Sequence, residues 1–199
     1  TLAGLHHARV VPVYDVFRAA GSLFYVMPWL EGGSLRDKIA EARETGAPVP
    51  QADALRWLLE LLPALEYLHG RQVIHRDLKP GNIMFDADGN PVLVDFGSAL
   101  NRATKVDTTT QGEFSPVYAS PEQVRRKGKI GPWTDLYSLA ATWYELLSGS
   151  PPEPAQQRLL QDELAGLSLG PTVLEQSIMQ NLALPSAQRC QSAQEWLDW

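Results

Sequence analysis

The sequence predicts an α+β fold: two small β-hairpins attached to a largely helical body. Three observations predict it. Short apolar and aromatic runs pair off around turn signals in two places. Residues 51–70 and 133–149 carry apolar side chains around most of a helical circumference, which implies two helices buried in a helical core. A length of 199 residues, 44% hydrophobic and 20% charged, suffices for one compact domain with a substantial core.

The elements follow in chain order. "VVPVYDVF" (10–17) and "SLFYVMPWL" (22–30), separated by "RAAG", read as two antiparallel strands. Gly32 and Gly33 form a hinge, and Ser34 is placed to cap a helix over "LRDKIAEAR". "TGAPVP" (45–50) is a turn-rich connection. From Gln51 to Gly70, Leu55, Leu58, Leu59, Leu62, Leu65 and Leu68 recur at helical spacing, with Gly70 as the expected C-cap. Pro63 inside that helix should bend it or cost a hydrogen bond.

In "VIHRDLKPGNIMFD" (73–86), Pro80 and Gly81 break any regular element, so the polar residues sit on a loop. Val73, Ile74, Ile83, Met84 and Phe85 anchor both of its ends. "ADGN" (87–90) between "NIMFD" and "PVLVD" signals a second hairpin. Residues 101–119 are polar, threonine-rich and aperiodic; a loop of that length inside a compact domain is usually functional. The helix over 133–149 ends at Gly149. Beyond Pro151, Pro152 and Pro154, helical patterns recur at about 155–165, 171–183 and 192–199.

Net charge is -6, so no global basic field invites nucleic acid or an anionic membrane. Arg125, Arg126, Lys127 and Lys129 form the nearest approach to a basic patch, which reads as a solvated face or, alternatively, as a patch that steers an acidic partner. A single cysteine, Cys190, excludes an intramolecular disulfide framework and fits a reducing compartment, hence a cytoplasmic location. No apolar run approaches the roughly 20 residues that a membrane helix needs. The chain opens at Thr1 directly into packed-looking sequence, which leads us to expect a natural beginning further upstream.

"HRDLKPGN", then "DFG", then "SPE", in this order and on these elements, resembles the signature set of the eukaryotic-type serine/threonine protein kinases. The helix "DLYSLAATWYELLSG" and the short proline-rich return after it resemble bacterial members. The resemblance implies a kinase-like fold, with residues 1–30 as the last N-lobe strands and hinge and residues 31–199 as the mainly helical C-lobe. It implies ATP as phosphate donor, magnesium (or manganese) as metal and protein hydroxyls as acceptors. Self-association for phosphorylation in trans would belong to the same picture.

The resemblance also assigns roles. Asp77 would orient the substrate hydroxyl, and Lys79 would reach the same γ-phosphate as a compact cation. Asn82 and Asp95 would hold the metal, which needs few protein oxygens. Met27 would be the gatekeeper, Pro28 and Leu30 would face adenine with their backbone, and Met84 would lie beneath the purine. Arg76 would pair with a phosphate on the segment 95–122, whose Thr108, Thr109 and Thr110 are candidate phosphosites. Ser115 would contact Asp77 and Lys79, with Phe114 replacing the usual smaller residue before it. Structurally, Glu122 would pair with Arg189, and Asp135 would fix the backbone at His75 and Arg76. His75, Phe96 and Val13 would match members of the family's regulatory spine. His6, His7 and His69 show no matching carboxylate or cysteine partner in the sequence.

The family's glycine-rich loop, strand lysine and partner glutamate have no counterpart in these residues, so the isolated chain is expected to bind ATP poorly and turn over weakly. A pseudokinase or scaffolding module is the alternative reading. A small-molecule phosphotransferase of the aminoglycoside-kinase kind is a third, against which stand the "SPE" segment and the long threonine-bearing loop.

Overall fold

Pro12 lacks an N–H and splits the first apolar run into pieces with different partners. In the computed structural model, which describes residues 4–20, 22–95, 115–125, 128–170 and 172–199, Val10 and Val11 are buried against the second hairpin. Val10 bridges Leu93 in parallel, and the Val11 N–H donates to Leu93 O at 2.9 Å. Only from Asp15 does the expected pairing begin. Strand β1 (Asp15–Ala19) runs antiparallel to β2 (Ser22–Val26), with Asp15 opposite Val26 and Ala19 opposite Ser22. Arg18 and Ala19, read from sequence as separator, are therefore strand. The reversal is tight, and Ala20 takes a left-handed φ of 48° to make it.

Helix α1 (Leu35–Thr45) starts where the sequence places it. Asp37 N–H donates to Ser34 Oγ at 3.3 Å and Ser34 N–H to Asp37 Oδ2 at 2.7 Å, a reciprocal capping box. Helix α2 (Gln51–His69) continues through Pro63, which lies on its exposed side. Its C-terminus differs from expectation. Gly70 stays right-handed at φ -61°, and Gln72, at φ 60°, makes the reversal. Val73 N–H returns to Leu68 O (3.0 Å) and Gln72 N–H to His69 O (2.9 Å), the paired bonds of a Schellman cap. The cap thus follows the hydrogen bonds and not the nearest glycine.

Strands β3 (Ile83–Phe85) and β4 (Pro91–Leu93) form the second hairpin, Ile83 opposite Leu93. The turn after β2 is stitched to β3: Gly32 N–H donates to Phe85 O (2.9 Å) and Phe85 N–H to Gly33 O (2.8 Å). A Cβ on Gly32 would lie 2.7 Å from Asp86 O and from Phe85 Cβ, so only glycine permits this approach.

Short helix α3 (Pro121–Val124) precedes α4 (Pro132–Ser148), which is buried continuously from Thr134 to Leu146 and ends at Gly149 with φ 77°. The all-round apolar pattern is thus the signature of a central helix. Its Trp143 is fully buried and donates Nε1–H to Ala54 O of α2 at 2.8 Å. Helix α5 spans only Ala155–Arg158, against the expected 155–165. Arg158 turns inward to Leu182 O (2.8 Å) and Tyr137 Oη (3.2 Å), with Asp162 reaching its Nε at 2.8 Å, while Leu160 points to solvent. Helices α6 (Val173–Asn181) and α7 (Ala193–Leu197) pack on α4 and α2 respectively. Among the described residues no helix is long and apolar enough to cross a membrane.

Candidate active site

The loop between α2 and β3 is held from below by one carboxylate. Asp135, on the first turn of α4, is fully buried and accepts the N–H groups of His75 (2.9 Å, at Oδ2) and Arg76 (2.8 Å, at Oδ1). Oδ2 also accepts from His69 Nε2 at 2.8 Å. Burial alone would lift the Asp135 carboxyl. The His69 hydrogen bond and charge, the field of His75 and the Arg76 N–H outweigh it and hold the group below its ordinary range. His75 is itself buried; its Nε2–H donates to Val94 O (3.0 Å) and its Nδ1 accepts the Asp77 N–H (3.4 Å). Both ring nitrogens thus serve the backbone, which is a structural histidine's pattern.

Asp77 is where the loop's side chains meet. Lys79 Nζ lies 2.6 Å from its Oδ2, Asn82 Nδ2 donates to the same oxygen at 3.1 Å and to Asp77 O at 2.8 Å, and Ser115 N–H donates to Oδ1 at 3.3 Å. Ser115 thus contacts Asp77 through its backbone N–H. With its amide nitrogen turned to Asp77, Asn82 presents its amide oxygen to the other side. Val94 N–H bonds Asn82 O at 3.0 Å, which carries the β3–β4 pairing one step further and puts Asp95 next in line. Asp95 is exposed with a left-handed φ of 62°. Its charge also reaches β2: burial first, then Asp95, raises the Tyr25 phenol above its ordinary value.

The residues read from the sequence as the hinge are partly open. Met27 is 36% exposed, Pro28 and Leu30 are half-buried, and Leu30 packs against the main core. Met84, half-buried on β3, bridges Ser34 just past the hinge.

Below it, Arg189 is 2% exposed and forks onto Glu122, Nη1 to Oε1 at 2.9 Å and Nη2 to Oε2 at 3.1 Å. Its remaining N–H groups reach the carbonyls of Ala183 (2.7 Å), Leu184 (2.9 Å) and Trp133 (3.1 Å). Thr134 Oγ1 adds a bond to Glu122 at 2.9 Å. Tyr118 donates to Glu145 Oε2, and Arg43 of α1 takes Oε1 at 2.6 Å. Burial, then the Glu145 hydrogen bond and charge, push the Tyr118 phenol far above its usual range.

A family model described as "Protein kinase domain" matches residues 1–192. The chain belongs to the protein kinase domain family. This kinase domain is 34% identical over 153 residues to CBL-interacting serine/threonine-protein kinase 21 of Arabidopsis thaliana, covering 76% of this chain and 35% of the relative. It is 33% identical over 174 residues to the hormonally up-regulated neu tumor-associated kinase of Mus musculus (84% and 23%). To serine/threonine-protein kinase PknB of Mycobacterium leprae it is 37% identical over 156 residues (75% and 24%), in keeping with a bacterial-type member. The chain thus spans about a quarter to a third of these relatives. Among solved structures, "PpkA-294 apo form" superposes with a TM-score of 0.82 at 27% identity, covering 99% of this chain and 70% of that one.

In the kinase domain, then, Asp77, Lys79, Asn82 and Ser115 come together, Asp95 follows one residue beyond a bond to Asn82, and Glu122, Arg189, Asp135 and His75 make the pairings expected of them. Phe96, Thr108, Thr109, Thr110 and Phe114 lie outside the described residues, as do Arg126 and Lys127 of the basic patch. One expectation is corrected: His69 does have a carboxylate partner, Asp135, which a separation of 66 positions hides from a reading of the sequence. Gln123 was not singled out at all, yet its Nε2 donates to Arg76 O at 2.7 Å. Nothing local in "SPEQ" announces that bond; it exists because α3 docks beside the loop.

Proposed function

We propose that this chain is the greater part of a serine/threonine protein kinase domain that transfers the γ-phosphate of ATP to protein hydroxyls. Residues 1–30 would be its strand-and-hinge portion and 31–199 its catalytic body. The observation that carries the reading is the Asp77 carboxylate, fixed between Lys79, Asn82 and the Ser115 N–H on a loop whose backbone Asp135 grips. Phosphoryl transfer asks chiefly for positioning and charge neutralisation, and this arrangement supplies both.

The residues present fit the groups that the reaction needs. Among the described residues no cluster of three or more His, Cys, Asp or Glu is placed to hold a metal, whereas magnesium paired with phosphates requires only one or two protein oxygens. Asn82 and Asp95 would supply those, with manganese acceptable to the same donors. Magnesium held there would neutralise negative charge on the phosphates. Met27, Pro28, Leu30 and Met84 would line the adenine side. Asp77 would accept a hydrogen bond from the substrate hydroxyl and aim its oxygen. Lys79 would stabilise charge on the transferring phosphoryl group. The serine/threonine preference rests on Lys79 in "DLKPGN" and on the names of the relatives. A cytoplasmic site of action, self-association for phosphorylation in trans and control through Arg76 and the segment 95–122 belong to the same proposal.

The test is transfer from γ-labelled ATP by the full-length protein to itself and to a mixed protein substrate, followed by phosphoamino-acid analysis. Label on serine and threonine that vanishes with EDTA is the expected result, as is loss of transfer in Asp95→Ala. Label confined to tyrosine, or none at all, would overturn the proposal, the latter in favour of a binding module.

A further inference from the structure

Asp77 is presented by a backbone in an uncommon conformation. Arg76, the residue before it, takes a left-handed φ of 68°, which a residue with a long side chain keeps only where its surroundings enforce it. The Arg76 N–H is held by Asp135 Oδ1 at 2.8 Å. The next peptide group, joining Arg76 to Asp77, is held at both ends: Gln123 Nε2 donates to its oxygen at 2.7 Å, and its N–H donates to His75 Nδ1 at 3.4 Å. Turning that peptide plane would swing the Asp77 carboxylate. Gln123 is in turn fixed by its other atom, since Oε1 accepts from Ser120 N–H at 3.0 Å and from Ser120 Oγ at 3.2 Å. Ser120 is fully buried and opens α3, a few residues beyond the Ser115 N–H that reaches Asp77 Oδ1.

We infer that Gln123 is a positioning residue for Asp77: one side-chain amide ties the strained Arg76–Asp77 peptide to the segment 115–120 that walls the same site. The inference rests on the phosphotransfer reading for its functional consequence. Disturbing the segment should be felt at Asp77 through two routes, the Ser115 N–H directly and the Gln123 amide through the backbone. The element before Asp77 would then register the placement of the segment that flanks its carboxylate.

Glutamate separates the two halves of this role. In Gln123→Glu the carboxylate still accepts from Ser120, so α3 keeps its cap, but at neutral pH it has no hydrogen for Arg76 O. In the full-length protein, kcat should fall by about tenfold or more at pH 8 while KM for ATP stays within about twofold. Lowering the pH towards 6 should restore part of the loss, because a carboxyl facing a carbonyl takes up a proton readily and can then donate O–H. Gln123→Met, which can neither donate nor accept comparably, should show the fall without the recovery. Wild-type kcat in Gln123→Glu, or identical pH profiles for the two variants, would overturn the proposal. Hydrogen exchange over residues 75–79 reads the grip without turnover, and should quicken in both variants at pH 8. If the wild type itself transfers no phosphate, the functional reading fails and this exchange decides the positioning role by itself. Unchanged exchange would then overturn it.

Discussion

The loop that bears Asp77 and the hairpin that leads into the hinge are built on opposite principles. The loop owes its shape to buried polar partners drawn from all over the chain: Asp135 and His69 beneath it, Gln123 beside it, Val94 across from it. Among the described residues the β1–β2 hairpin has almost no such support. Every residue of β1 is exposed, and Tyr14 and Trp29, which flank the hairpin, are 67% and 85% accessible. Phe17 and Phe24 stack on each other, rings 5.3 Å apart, and each is 45% exposed. A lone two-stranded hairpin is marginal in water. The contrast teaches where accuracy is invested: the surroundings of Asp77 are overdetermined, and the β1–β2 hairpin is not.

Substitutions can break or sharpen that contrast. The largest effect is expected at the base of the body. Arg189→Ala would strand the buried Glu122 carboxylate and should cost about 3–5 kcal/mol in chemical denaturation; a loss near zero would mean that the pair is not buried in solution. Next comes His69→Ala, which removes one of three donors from fully buried Asp135. About 1–3 kcal/mol is expected. If the variant matches the wild type, the grip on the loop does not pass through His69.

The same pair has a signature in acid. Asp135 is held below its ordinary 3.8, so its contribution is complete above that pH and is lost as pH falls through the lower folded value. Removing His69 takes away a cause of the lowering. The acid-unfolding midpoint of His69→Ala, followed by near-ultraviolet circular dichroism, should therefore shift upward. A downward shift would have the wrong sign.

The smallest effect belongs to the hairpin. Phe24→Ser gives up an exposed stack and should change stability by only about 0.5 kcal/mol. Amides of β1 and β2 should also exchange well before those of α4. A cost comparable with that of Arg189→Ala would erase the difference between the two regions.

Local chemistry made much of this legible. The Ser34 capping box, the "ADGN" turn, the Gly149 stop and the all-round apolar α4 each depend on neighbours in sequence, and each stands as read. The ion pair of Glu122 with Arg189 and the hold of Asp135 on the loop span long separations; they were readable only through the family resemblance. Where the reading slipped, tertiary structure had overruled a local cue. Gly70 looked like the helix stop, but the returning Val73 N–H sets the reversal at Gln72. The helical pattern read at about 155–165 suggested a longer helix, but the helix ends at Arg158, whose side chain turns inward to Leu182 O. The His69 and Gln123 bonds had no sequence signal, since each is made by docking of elements far apart in the chain.

The most direct measurement is phosphotransfer by full-length Asp77→Asn beside the wild type, with thermal melts to confirm that both are folded. Losing the carboxylate's charge while keeping its shape should lower kcat by about a hundredfold or more and leave the melting midpoint nearly unchanged. Equal transfer by the two folded proteins would contradict the role given to Asp77 and, with it, the site described around it.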